Sequence, residues 1–341
     1  MSVDHCFPRF LGILEDSHLF MRMLIAIPFC AALPGFISSP TFAQPYPSKP
    51  IRFVVPFTAG GGADTMARLV GSKVGAHLGQ QLVIENRGAA GGTVGTGLAA
   101  KAASDGYTIL LTAANIAAAV SLFDKLTFDP LKDFVPVTLL AKTPSIVAVH
   151  PSLPVKSVRQ LIALAKAHPG TINYAGGVGS LLHLDVEYFK AMAKIDLVQV
   201  PYNGSGPSMI GVVSGEASIV ISPTTLVLPH AQNGRLRALA ITSKERFAAL
   251  PDLPTVAESG LPDFNTQQWY GILLPGGTSK PIVTRLHGEF VKAMQSPEIT
   301  QRMISDASVA VGSTPDEFAD FFREDIAKWA KVVKFSGARA H

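Results

Sequence analysis

Ile51-Arg52-Phe53-Val54-Val55-Pro56-Phe57-Thr58-Ala59-Gly60-Gly61-Gly62-Ala63-Asp64 runs from an apolar segment through a glycine turn into a helical pattern. The spacing predicts a buried strand over 51–56 and a helix over 64–78, with Met66, Ala67, Val70 and Val74 on one face. Glycines at such a junction let the backbone approach a ligand, and the helix start offers N–H groups without intrahelical partners. The macrodipole adds roughly half a positive charge there, so a carboxylate or phosphate can be held with no Lys or Arg beside it. The plainer alternative is a tight strand-to-helix connection, with Asp64 as a helix-terminal cap. A nucleotide P-loop is excluded because no Gly-Lys-Ser/Thr follows. A dinucleotide fingerprint fits better, since Gly60 and Gly62 occupy its first two glycine positions and Glu85 stands where a ribose-binding acid would. Thr65 takes the third glycine position.

The same alternation continues outward. Strands are expected over 81–86, 108–112, 135–140 and 146–149, with a helix over 93–102 between the first two. After His150-Pro151-Ser152-Leu153-Pro154, Ser157 caps a helix over 158–167. Strands over 172–174, 197–200, 218–221 and 236–242 then alternate with helices over 181–193, 208–214 and 226–233. A turn-rich stretch over 250–268 contains Pro251, Pro254 and Pro262. A strand over 269–274 and helices over 282–294, 298–304 and 316–333 complete the chain. This is an α/β pattern, with mostly parallel sheets flanked by helices, in two similar lobes. The expected division is 44–143 with 270–341 as lobe 1 and 144–269 as lobe 2. The expected hinge lies in two crossings, near 141–146 and 268–273.

Three further turns resemble the first. Tyr174-Ala175-Gly176-Gly177-Val178-Gly179-Ser180, followed by Leu181-Leu182-His183, repeats strand, glycine turn and helix start in the second half. Gly177, Val178, Gly179 and Ser180 are the expected counterparts of Phe57, Thr58, Ala59, Gly60 and Gly61 across a cleft. Ser180 is either a hydroxyl donor or a plain cap, and His183 either a ligand contact or a packed side chain. Glu85-Asn86-Arg87-Gly88-Ala89-Ala90-Gly91-Gly92 either lines the cleft, through Asn86, or only packs near it. Val200-Pro201-Tyr202-Asn203 puts Tyr202 and Asn203 in a rigid turn suited to selecting among ligands. Asn115, after the third strand, and Ser222, ending a strand of the second half, complete the expected ligand contacts together with Asp64.

Composition narrows the function classes. The full chain has 341 residues, 48% hydrophobic, and a formal net charge of +4. Arg22, an apolar run over 24–36 broken by Pro28, Pro34 and Gly35, and Thr41-Phe42-Ala43 predict a Sec-type signal peptide cut after Ala43 and a periplasmic location. Asp4, Glu15 and Asp16 do not suit a signal n-region, which points to translation starting at Met21 or Met23. The only cysteines, Cys6 and Cys30, precede that cut, and Pro28-Phe29 is the wrong context for lipidation of Cys30. Removing 1–43 leaves 27 basic against 22 acidic residues, spread without the basic block that nucleic acid requires. There is no Gly-x-Ser-x-Gly elbow and no metal spacing among the histidines. Neither an enzyme nor a cofactor is expected, and a monomer is.

At these residues the chain resembles the Bug family, the extracytoplasmic solute receptors of tripartite tricarboxylate transporters. The resemblance runs from about Tyr46 to Ser336. It rests on Tyr46-Pro47-Ser48-Lys49-Pro50-Ile51, on Pro56-Phe57 with Gly60-Gly61 and Asp64, and on Glu85-Asn86-Arg87. Further marks are Asp105-Gly106-Tyr107-Thr108-Ile109-Leu110, His183-Leu184, Val200-Pro201-Tyr202, Leu250-Pro251-Asp252-Leu253-Pro254-Thr255-Val256-Ala257-Glu258 and Leu261-Pro262. The resemblance implies a two-lobed periplasmic-binding-protein (Venus-flytrap) fold with the ligand in the hinge cleft. It also implies a small carboxylate held by the first two glycine loops, and membrane transporter subunits or a sensor kinase as partners. Two departures bear on the pocket. Ser218 stands where members usually carry Asp, with Gly211 altered similarly, and Gly176-Gly177 replaces a Ser-type turn.

Overall fold

A computed structural model describes residues 46–176, 181–202, 205–247 and 249–337. The expected signal segment, the second-turn residues Gly177, Val178, Gly179 and Ser180, and Asn203 lie outside these.

The opening strand β1 (Ile51–Val55) is apolar throughout because both of its faces are covered. Phe53 and Val55 pack on one side, while Val54 packs on the other. Helix α1 (Gly62–Leu78) follows, buries Met66, Ala67, Val70 and Val74, and stops at Gly79, which adopts φ 67°. Strand β2 (Leu82–Asn86), helix α2 (Thr93–Ala100) and strand β3 (Thr108–Ala113) come next. Helix α3 (Ala114–Leu122) had no sequence signature. Its alanine-rich surface is buried nearly all round, so no polar stripe marks a period.

The expected strands at 135–140 and 146–149 are one strand, β4 (Phe134–Val149). Its two prolines disguise the continuity. Pro136 sits where the ladder shifts register, and Pro144 is the last residue to pair with the later strand β9 before β4 changes partner. The second half comprises α4 (Val158–Ala167), with Ser157 accepting from the Gln160 amide, β5 (Asn173–Gly176), α5 (Leu181–Ala193) and β6 (Val198–Pro201). It continues with α6 (Ser205–Val213), β7 (Ile219–Pro223), α7 (Thr224–Gln232) and β8 (Arg237–Ile241). The return consists of β9 (Gln267–Pro275), α8 (Lys280–Met294), α9 (Pro297–Ser305), the short β10 (Val309–Ala310) and α10 (Pro315–Ser336).

The strand order is β2-β1-β3-β9-β4-β7-β5-β6, with β8 and β10 also pairing to β4. Each wing is parallel: β2–β1–β3 in one and β6–β5–β7 in the other. The long strands joining them run antiparallel to their neighbours. The registers fix where the wings meet. Ala113, ending β3, lies opposite Tyr270, which lies opposite Ala141; Pro223, ending β7, lies opposite Ser145. The carboxyl ends of the parallel strands therefore converge on residues 141–145 of β4, the edge at which open α/β sheets bind ligands.

Helix α10 is fastened to the crossing strand β9. Trp269 Nε1 (2.9 Å) and Trp329 Nε1 (3.1 Å) both donate to Asp325 Oδ2, and Lys328 Nζ lies 2.6 Å from Oδ1. Trp269 also meets Phe318 and Phe322 edge-on, at 5.8 and 5.6 Å. Gly271 leaves the space that the Phe318 ring fills, and a Cβ there would overlap it. Gly271→Ala is expected to lower the unfolding free energy by about 1–3 kcal/mol, as overpacking does, with a lower urea midpoint at unchanged slope.

Candidate functional site

The turn after β1 is held by Asp64, three residues into α1. Its carboxylate accepts from the Gly60 amide (2.9 Å), Arg68 Nε (3.0 Å) and Asn86 Nδ2 (3.0 Å). Asn86 Nδ2 also donates to the Phe57 carbonyl at 3.2 Å, tying both ends of the turn to β2. The Arg68 hydrogen bond, then those from Gly60 and Asn86, pull the Asp64 carboxyl down to about 2 against the cost of burial. Asp64 and Asn86 thus shape the turn, and Asp64 takes up the Gly60 amide in doing so. The amides of Gly61, Gly62, Ala63 and Asp64 have no backbone acceptor among the described residues. Thr58, Ala59, Gly60, Gly61 and Gly62 are exposed. The positive end of α1 is therefore open to an anion from Gly61 onward.

The Glu85–Gly92 turn is the scaffold behind the first one. The Arg87 amide donates to Val55 O, and a Cβ on Gly88 would stand 2.5 Å from Thr58 N and 2.7 Å from Phe57 C. Only glycine permits that approach. Asn115 is bonded through Nδ2 to the Gly91 carbonyl, fixing the start of α3 to this turn. Arg87 reaches Glu85 (3.2 Å), which also takes both Nε and Nη2 of Arg52 at 2.9 Å. Those guanidinium groups hold the Glu85 carboxyl below its usual range.

In the other wing, the described candidates are spread over two faces. His183 is buried and stacked on Tyr174 (6.4 Å between centroids), with Nε2 3.8 Å from Glu187 Oε1. The same oxygen accepts from Tyr174 OH and Lys190 Nζ, each at 2.8 Å. Burial lowers the His183 pKa, which favours the neutral imidazole, against the pull of Glu187. The Tyr202 ring packs on Gly211 of α6, and its amide, with Gln199 Nε2, bonds the Gly176 carbonyl where β5 ends. Ser222 is fully buried, beside the point where β7 meets β4, and its hydroxyl has no partner among the described residues.

Where the strand ends converge lies a cavity of about 380 Å³, within the range of small-molecule sites. The first turns of three helices line it: Gly62, Thr65 and Met66 of α1, Ser205 of α6, and Thr225 with Leu226 of α7. Thr143, Gln268 and Tyr270 of the crossing strands line another side, with Arg302 and Asp306 nearby. Arg302 Nε lies 2.6 Å from Asp306 Oδ2, and Thr143 Oγ1 lies 2.7 Å from Ser308 Oγ. The Tyr270 hydroxyl reaches the first turn of α1, 2.7 Å from where a Gly62 Cβ would be. None of these lining side chains was legible as a contact. Thr143 and Gln268 face each other only through the β4–β9 register. Among the described residues no cluster of three or more His, Cys, Asp or Glu is placed to hold a metal ion.

Two substitutions test the scaffold. Asp64→Ala is expected to cost about 1–3 kcal/mol of unfolding free energy at pH 7, partly offset because Arg68 is more than half exposed and screened. The folded-state pKa is lowered, so this stabilisation is present above the usual carboxylate range and lost as pH falls towards 2. Wild type and variant should therefore converge in acid melts. Gly88→Ala should displace Phe57–Thr58, which backbone amide chemical-shift changes confined to 57–64 and 86–92 would report.

Residues 66–337 match the model of the tripartite tricarboxylate transporter family receptor. The chain is 36% identical to the protein BugT of Bordetella pertussis over 321 residues, covering 93% of this chain and 98% of that one. It also resembles an R. palustris protein solved with adipate (34% identity, TM-score 0.75, covering 86% of this chain and 99% of that one). MatC from Rhodopseudomonas palustris, solved with bound malate, is similar too (32% identity, TM-score 0.73, covering 84% and 100%). A further solved relative, described as a periplasmic transporter, is 38% identical at a TM-score of 0.75 over 86% of this chain and 99% of that one. With the strand ends of two α/β wings meeting over one cavity, the chain belongs to the family of tripartite tricarboxylate transporter receptors.

Proposed function

We propose that this chain is exported to the periplasm, through a signal segment within 1–43, and captures a small carboxylate by closing two lobes around it. The lobes are 44–143 with 270–341, and 144–269, and the hinge lies where β4 exchanges β9 for β7 at Pro144–Ser145. The observation that carries this proposal is the open amide row of Gly61 to Asp64, held above a cavity to which both wings contribute. The first turns of α6 and α7 add two more positive helix ends to the same space. Arg302 and Asp306 cancel each other, so the helix termini set the sign of the field. The malate and adipate held by two relatives are ligands of this chemical class. In the proposed closed form, Gly177–Ser180 supplies the opposing amides. Closure is favoured only by the ligand's higher affinity for that form, and the loaded receptor is then offered to membrane subunits.

A cognate carboxylate at about 100 times its Kd should stabilise the protein by about 2.7 kcal/mol, seen as a melting shift that neutral amides of the same acids do not give. Gly61 has an ordinary backbone conformation, and a Cβ there would meet only Thr58 O at 3.6 Å. Gly61→Val should therefore keep the ligand-free melting temperature and weaken carboxylate binding at least about tenfold by calorimetry, since its branched side chain stands in the ligand's path to the amides and one blocked charge-assisted contact is worth about 1.5–3 kcal/mol. A variant that binds as well as wild type would place the carboxylate elsewhere.

A further inference from the structure

Behind the crossing strands, α5 packs against α10 and α3. Leu181 and Leu184 of α5 enter the same buried cluster as Trp269, Phe318 and Phe322. In that seam lies Asp185, 1% exposed, with Oδ1 lacking any hydrogen-bond partner among the described residues. An ionised carboxylate in such a place is costly unless paired. The groups facing it are few. Lys328 and Asp325 come from α10, and the Thr266 hydroxyl comes from the entry to β9. Lys328 is already engaged by Asp325 Oδ1, so it is not Asp185's own counter-ion. Lys142 of β4 lies over the Phe321 ring and feels Asp325. His183 and Glu187, on α5 itself, are turned to Tyr174. Helix α3 and strand β7 carry no titratable side chain.

We propose that Asp185 is a proton-operated latch on the α5–α10 seam, which closes tightly on the protonated carboxyl and loosens when the carboxyl ionises. Helix α5 belongs to one proposed lobe and α10 to the other, so a shift across this seam moves one lobe against the other. The functional consequence, a receptor whose binding geometry depends on pH, rests on the hinge proposed above; the titration itself does not. Burial raises the Asp185 carboxyl to about 7, with Asp325 adding to the rise and Lys328 and Thr266 opposing it. Between the ordinary aspartate range and about 7, the folded chain retains a proton that the unfolded chain gives up. Stability therefore falls as pH rises through that window, and the full penalty is present above it.

The chain's two tryptophans, Trp269 and Trp329, both donate to Asp325 and so report on this seam. Their fluorescence, titrated from pH 5.5 to 9 without ligand, should change sigmoidally with a midpoint near 7. Asp185→Asn should abolish the step and hold the low-pH spectrum throughout. His183→Gln should keep the step, which excludes that imidazole as its source. The Asp185→Asn melting temperature should exceed wild type by about 5 °C at pH 8.5 and by much less at pH 5. Should Asp185→Asn fail to fold, Lys328→Met supplies the test, because losing a positive charge near the carboxyl must move the midpoint upward. A flat wild-type titration, a step surviving in Asp185→Asn, or an unmoved midpoint in Lys328→Met would overturn the latch. Because no ligand is used, a failed latch leaves the carboxylate proposal standing, and the reverse also holds.

Discussion

Between Pro144 and Ser145, β4 exchanges β9 for β7 as its neighbour, and the positions of the two wings follow from that exchange. A strand of sixteen residues pairs antiparallel with partners from both wings, so the parallel strands of each wing point their carboxyl ends at the same few residues. The helix starts that follow β1 and β7 are then delivered to one edge. The cavity lined by Thr143, Gln268 and Tyr270 is the space left beside that exchange.

Within this frame, charge is handled by backbone more than by side chains. Asp64 is a buried carboxylate at the mouth of the proposed anion site, which would be self-defeating if its charge were free. It is instead used up by Arg68, the Gly60 amide and Asn86, and what it organises is the row of amides beside it. Arg87 and Arg52 are similarly spent on Glu85. The cavity thus presents oriented N–H groups, hydroxyls and a neutral ion pair, a combination suited to the proposed carboxylate that leaves the rest of the ligand to shape.

Much of this was legible in the sequence. Continuous apolar runs between glycine turns gave the strand–turn–helix repeats, and Ser157 marked the start of α4. The residues of the first turn, with Asp64 and Asn86, belong together in space, and Asn86 and Asn115 tie the neighbouring turns to each other. Helix α3 was hidden because a helix buried on every side has no period. The unity of β4 was hidden because proline normally ends a strand. The cavity was illegible for a third reason. Its walls come from residues as distant as Gly62 and Ser308, with Thr143 and Ser308 themselves 165 positions apart, joined only by strand register and by packing against α9.

Whether the amides at the start of α1 hold the proposed carboxylate is read from proton–nitrogen correlation spectra recorded through a titration with a carboxylate that raises the melting temperature. Saturable downfield proton shifts are expected for Gly61, Gly62 and Ala63, with the already bonded Gly60 amide moving less. Saturable binding that leaves those three resonances unmoved would contradict the proposal.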